Sequence, residues 1–160
     1  MIRRQSFYIV GVLLIILGLS MLCSVACSLI FNDGDLVPLL QSIAVTIVSG
    51  FTLMLLFKSK EKKELSTHDG FAVVTMGWFA MAIFSAFPFY FSGTLDYTNS
   101  FFEAMSGLTT TGASVFGHSD TLMIEDLPHG ILFWRSFTQF IGGMGIIVFS
   151  IAILPLLGMG

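Results

Sequence analysis

Charge is what this sequence has least of. Only 11% of its 160 residues are charged, and all 7 basic and 10 acidic side chains fall at the ends of apolar runs or between them, except Glu103 and Arg135. No basic face is left for nucleic acid, so that partner class is excluded. Cysteine is nearly as scarce. Cys23 and Cys27 stand four apart and share one helix face in the first apolar run, but that run offers no further His, Cys or carboxylate to complete a metal site. They read as small apolar packing residues, and no metal cofactor is expected. The 3 histidines, His68, His118 and His129, are scattered in loops with no partner at ligand spacing. A nucleophile without a base and an orienting group is inert, so the sequence is not expected to be an enzyme or to need any cofactor.

What is present is apolar residue in long runs. With 55% hydrophobic residues, there is too little polar surface to cover a soluble globule, and the natural solvent is a bilayer. Four runs are long enough to cross one: Phe7 to Phe31, Leu36 to Phe57, Phe71 to Phe91, and Ile131 to Leu157 with its glycine and proline interruptions. Arg3 and Arg4 ahead of the first run also suit a signal sequence. A helix over that run, however, is about 37 Å long, more than a signal-peptide core needs, so the run is an uncleaved first span.

Asn32-Asp33-Gly34-Asp35 separates the first two runs and forces an antiparallel helix hairpin, being a turn signal too short for a calcium loop. Four of the basic residues lie in Lys58 to Glu64. Because Lys and Arg near span ends are retained in the cytoplasm, the amino terminus and the 58–70 loop are expected inside, and Asp33, Asp35, Asp96, Asp120, Glu125 and Asp126 outside. Phe84, Phe87, Phe89, Tyr90 and Phe91 then read as an aromatic girdle at the outer interface.

The interval from Ser92 to Gly130 departs from an ordinary outer loop. Phe101 to Leu108 is a helix candidate of about 12 Å, too short to cross, and Ser100 with Glu103 has the spacing of a capping box at its start. Three threonines and Gly112 follow, so the helix must stop. A half-helix with a non-helical return at membrane depth is tolerated only where it is buried or lines a water-filled path. Carbonyl groups on an extended return can replace the water shell of a cation, Gly112 opens backbone dihedrals closed to other residues, and the helix points its negative end to the same place.

Phe101-Phe102-Glu103-Ala104-Met105-Ser106-Gly107-Leu108-Thr109-Thr110-Thr111-Gly112-Ala113 resembles the first pore loop of the Trk/Ktr/HKT potassium transporter superfamily. So do Arg4 to Gly11, Lys63-Glu64-Leu65 with Asp69-Gly70-Phe71, Ile131 to Arg135, Gly142 to Val148, and Ala152 to Pro155. The resemblance covers essentially the whole chain. It implies an all-α membrane protein: a transmembrane helix pair over 1–57, a cytoplasmic basic loop over 58–70, and one channel-like repeat over 71–160. That repeat divides into a span 71–91, a pore helix 101–108, a filter 109–113 and a span 131–157. It implies that Thr109 to Gly112 form the filter, with Thr110 and Thr111 supplying oxygens to potassium, and that Gly112 matches a position where serine accompanies sodium preference in some plant members. It further implies a bacterial inner-membrane location, a homodimer when full length, and a cytoplasmic nucleotide-binding regulatory subunit of the TrkA kind.

The pattern needs four repeats around one pore, and this sequence carries one. It is therefore read as a truncated product or a fragment, not expected to conduct alone; a non-transporting module that packs against a full-length partner is the competing class. Arg135 is open to two readings, interfacial anchor or pore-loop support against a direct place in the ion path. Glu103 is open between capping and attracting cations, and Gly142, Gly143 and Gly145 between close packing and a hinge.

Overall fold

The computed structural model describes residues 4–58, 67–117 and 121–153. Arg3, most of the basic loop (59–66), His118, Asp120 and the last expected residues of the fourth span (154–157) lie outside them. Every regular element among the described residues is helical: α1 (Arg4–Ser20), α2 (Leu22–Phe31), α3 (Leu36–Phe57), α4 (Thr67–Ser85), α5 (Phe87–Phe91), α6 (Tyr97–Leu108) and α7 (His129–Ile153), with a 3-10 turn at Ile124–Asp126.

The first run is one span with a break. At Met21 the ladder tightens: the Ser20 hydroxyl donates to the Leu17 carbonyl at 2.6 Å and the Ser24 amide to the Met21 carbonyl at 3.0 Å, local bonds that compete with the regular pattern and bend a helix. Asn32 closes α2 in the left-handed region (φ 55°), its amide bonding the Ser28 carbonyl. With Gly34 also at positive φ, the chain reverses into α3. Gly11 and Gly50 let α1 and α3 touch backbone to backbone, since a Cβ on either would lie 2.7 Å from the other's carbonyl oxygen. At the far end Phe7 stacks on Phe57, ring centroids 4.7 Å apart, and Arg4 reaches the Leu56 carbonyl. The expected hairpin is formed.

The third run breaks at Ala86 into α4 and α5, with Pro88 in the first turn of α5 where its missing N–H is harmless. His68 and His129, expected in loops, lie in the first turns of α4 and α7. The fourth run is an unbroken helix through Gly142, Gly143 and Gly145, so these glycines do not interrupt it. Phe89 leaves the expected girdle: it is fully buried, and its ring faces Phe116. One core cluster joins the hairpin to the rest, with Leu14, Leu17, Met21, Leu39, Phe89, Ala104, Phe116, Ile131 and Trp134 among its members.

Four helical stretches are long and apolar enough to span a bilayer: Arg4–Phe31, Leu36–Phe57, Asp69–Phe91 and His129–Val148, with mean hydropathy from 1.4 to 2.7. Only 22% to 44% of each is buried within the chain. Helices so apolar and so exposed need hydrocarbon or further protein around them, and the chain is a multi-pass membrane protein.

Candidate functional site

The site is built from α6, the segment after it, and one face of α7. The helix starts earlier than its sequence suggests. Asp96, extended at φ −66° and ψ 167°, occupies the N-cap position, and the Ser100 amide bonds the Asp96 carbonyl at 2.9 Å. Ser100 and Glu103 are therefore both inside the helix, and the capping box is not formed. The Ser100 hydroxyl donates to the Leu95 carbonyl at 3.5 Å, and the Glu103 carboxylate points elsewhere.

The helix stops after Leu108 in a Schellman motif. The Thr110 amide bonds the Gly107 carbonyl at 2.9 Å and the Thr111 amide bonds the Ser106 carbonyl at 3.0 Å, the pair of bonds that consumes carbonyls orphaned at a helix end. The left-handed residue this motif requires is usually glycine; here it is Thr110, at φ 57°. A β-branched side chain in that region is a steric outlier, costing about 1–3 kcal/mol. Gly112 follows at φ 74°. The backbone is non-helical through Ser114, and residues 109–113 are exposed on this chain. Among the described residues, no hydrogen bond reaches the carbonyls of Thr109, Thr110, Thr111 or Gly112. Their oxygens are thus available to a ligand.

Two polar ties fix the return. The Ser106 hydroxyl donates to the Ala113 carbonyl at 2.6 Å. Glu103, 3% exposed, accepts from the Ser114 hydroxyl and from the Val115 amide at 3.1 Å, and from Arg135 Nε at 2.6 Å. This carboxylate is the hub that binds α6, the return segment and α7 together. Arg135 spends its charge on Glu103, so neither side chain stands as a lone charge.

On α7, Arg135, Thr138, Gln139 and Gly142 recur at helical spacing and share the face turned to this loop. A Cβ on Gly107 would collide with the Thr138 side chain, which itself donates to the Arg135 carbonyl at 2.7 Å. A Cβ on Gly142 would collide with the Leu108 carbonyl oxygen and lie 2.7 Å from its carbon, so Gly142 permits a backbone contact between α7 and the end of α6. Ser106, Ser114, Thr138 and Gln139 were not singled out from sequence. The recurrence of polar and small residues at positions 135, 138, 139 and 142 in an otherwise apolar run could have found Thr138 and Gln139; no such signal marks Ser106 and Ser114.

The outer turn serves α7 as well. The His129 amide donates to Asp33 Oδ2 at 2.8 Å and the Ile131 amide to Asp35 Oδ2 at 3.1 Å, two carboxylates satisfying first-turn amides at the positive end of the helix. Asp35 also accepts from the Ser28 hydroxyl. The His129 ring stacks on Phe31 with centroids 3.9 Å apart and pairs with Asp33, so this histidine is not the idle loop residue expected. The backbone amide of His129, then its ring, hold the Asp33 carboxyl below its ordinary 3.8. Among the described residues no cluster of three or more His, Cys, Asp or Glu could hold a metal ion.

This architecture has relatives. The TrkH family, described as "Cation transport protein", matches residues 39–160. The Trk system potassium uptake protein TrkH of Escherichia coli K12 is 40% identical over 159 residues, which are 98% of this chain and 32% of that protein. The corresponding TrkG of the same strain is 34% identical over the same shares, and TrkI of Halomonas elongata 31% identical over 95% of this chain and 30% of that protein. The crystal structure of the potassium transporter TrkH from Vibrio parahaemolyticus superimposes with a TM-score of 0.87 at 38% identity, covering 98% of this chain and 33% of that one. The chain thus spans about a third of the length of the curated relatives it matches.

Proposed function

Because the chain belongs to the TrkH family of cation transport proteins, we propose that residues 97–114 form one pore loop of a Trk-type potassium uptake system. Thr110 and Thr111, with Thr109 and Gly112, supply the oxygens that stand in for the water shell of K+. The observation that carries this reading is the Schellman-capped half-helix handing over to a non-helical segment of exposed residues whose carbonyls are unbonded among the described residues. Such carbonyls, together with the negative end of α6, favour a monovalent cation. One loop supplies a fraction of the oxygens a bare cation needs, so the chain works as a quarter of a ring completed by three similar repeats. The assembly sits in the bacterial inner membrane with the amino terminus cytoplasmic, functions as a homodimer, and answers to a TrkA-like nucleotide-binding subunit.

Two contacts support the assumed sidedness. The 32–35 turn and the start of α7 meet at one end, while Arg4 meets the end of α3 at the other, matching the segregation of acidic from basic residues. The test is a flux measurement on a full-length transporter carrying this sequence as its corresponding part. Gly112→Ser is expected to lower the ratio of potassium to sodium uptake; an unchanged ratio, with normal amounts of protein in the membrane, refutes the filter assignment.

A further inference from the structure

The face of α7 that meets the loop has four polar or small members, and three have identified partners: Arg135 on Glu103, Thr138 on Gly107, Gly142 on the Leu108 carbonyl. Gln139 is the fourth. It is half-buried, and among the described residues its amide makes no hydrogen bond. The amide is not among the buried unsatisfied groups, so it stays partly accessible and is available to a new partner. Its position explains what it could meet. A Cβ built on Gly112 would point at Gln139 Nε2, 3.9 Å away, with no other atom within 4 Å. Position 112 thus has its α-hydrogen side turned to the α7 amide.

We propose that Gln139 is a specificity-determining positioning residue of the filter: its side-chain amide stands behind Gly112 and sets how any side chain at position 112 alters ion preference. The inference rests on the filter reading given above. The contact distance is ordinary for van der Waals packing, so a methyl group at 112 fits the space. A hydroxyl one bond further out comes within hydrogen-bond reach of the amide. Alanine and serine share the same backbone strain at φ 74°, so the strain does not separate them, and Gln139 is the group outside the loop that the hydroxyl can reach.

The experiment measures rubidium and sodium uptake by the full-length transporter carrying this sequence, for Gly112→Ala and Gly112→Ser, each with Gln139 present and with Gln139→Met, which keeps bulk but removes the amide. With Gln139 present, the two substitutions at 112 are expected to differ at least threefold in rubidium-to-sodium ratio. With Gln139→Met that difference should shrink to less than 1.5-fold. A Ser-to-Ala difference that is the same in both backgrounds overturns the role of Gln139 and leaves the filter reading standing. Ratios unmoved by any substitution at 112 overturn both. Should the position-112 variants reach the membrane too poorly for flux, membrane yield decides: Gly112→Ser is expected to be recovered at least twofold better with Gln139 than with Gln139→Met, since only the amide can bond the hydroxyl, and equal recovery in the two backgrounds overturns the inference.

Discussion

Glu103 offers the sharpest test of how the return segment is held. Its side chain is 2% exposed and that of Arg135 16%, so the pair sits where removal of one partner leaves the other nearly stranded. Breaking a buried ion pair from one side costs about 3–5 kcal/mol. Glu103→Gln keeps an oxygen to accept from Ser114 and Val115 but leaves the guanidinium unbalanced; Arg135→Met strands the carboxylate. Each single variant is expected to lose about 3 kcal/mol or more, while the double variant loses less than the sum of the two by at least about 2 kcal/mol, because it leaves no lone charge. Denaturant melts of the purified full-length transporter, wild type and the three variants, give the cycle directly. Additivity within about 0.5 kcal/mol would mean that the two residues act independently and that Glu103 does not tie α7 to the loop. Uptake measured on the same four proteins should follow the same order, since both variants loosen the segment after Gly112.

Two further outcomes are expected. Gly142→Ala drives a methyl group into the Leu108 backbone, where no flexible side chain can yield, and should destabilise the transporter by about 1–3 kcal/mol and reduce uptake; Gly143→Ala, whose Cβ would only graze Thr110 Cγ2 at 3.9 Å, is the control, and equal effects from both would contradict the close approach. The Asp33 tie to α7 should respond to acid in a definite direction: its carboxyl is held below 3.8 in the folded protein, so its contribution is complete above that pH and fades as pH falls through the lowered value. Melting temperature followed from pH 6 to pH 3 should therefore drop more steeply for the wild type than for Asp33→Asn, and parallel curves would refute the linkage.

Much of this was legible in the sequence, and for a definite reason. Span number, the hairpin and the short helix follow from run length and turn residues, which are local properties, and the end of that helix follows from the threonines and Gly112; that the return is left-handed at Thr110 and Gly112 instead of extended does not. The start of α6 was misplaced because Ser100 and Glu103 mimic a capping box; spacing alone cannot reveal that Glu103 has a stronger claim from Val115 and Arg135, one of them far along the chain. The same holds for Asp33 and Asp35, which read as turn residues but bond amides of a helix 96 residues away. Spacing can mark a polar face, as on α7, but it does not name the distant partner.

Thr110 brings these threads together. Local preference alone would place glycine at the left-handed end of α6, and Gly112 sits only two residues later, so a register shift of the cap was available to the sequence. A threonine held there at φ 57° costs about 1–3 kcal/mol that surrounding contacts must offset, and the surroundings are well defined: the Ser106 bond to Ala113, the Glu103 bonds to Ser114 and Val115, and the backbone of α7 against Leu108. Clamped at both ends, the four residues between have little freedom to relax, and the hydroxyls of Thr109 and Thr111, 2.8 Å apart, stiffen them further; on the filter reading proposed above, that restricts the ions they can fit. Rigid support of a short strained segment is how a loop can present oxygens at fixed spacing, which is the property that discrimination between two monovalent cations by cavity size demands.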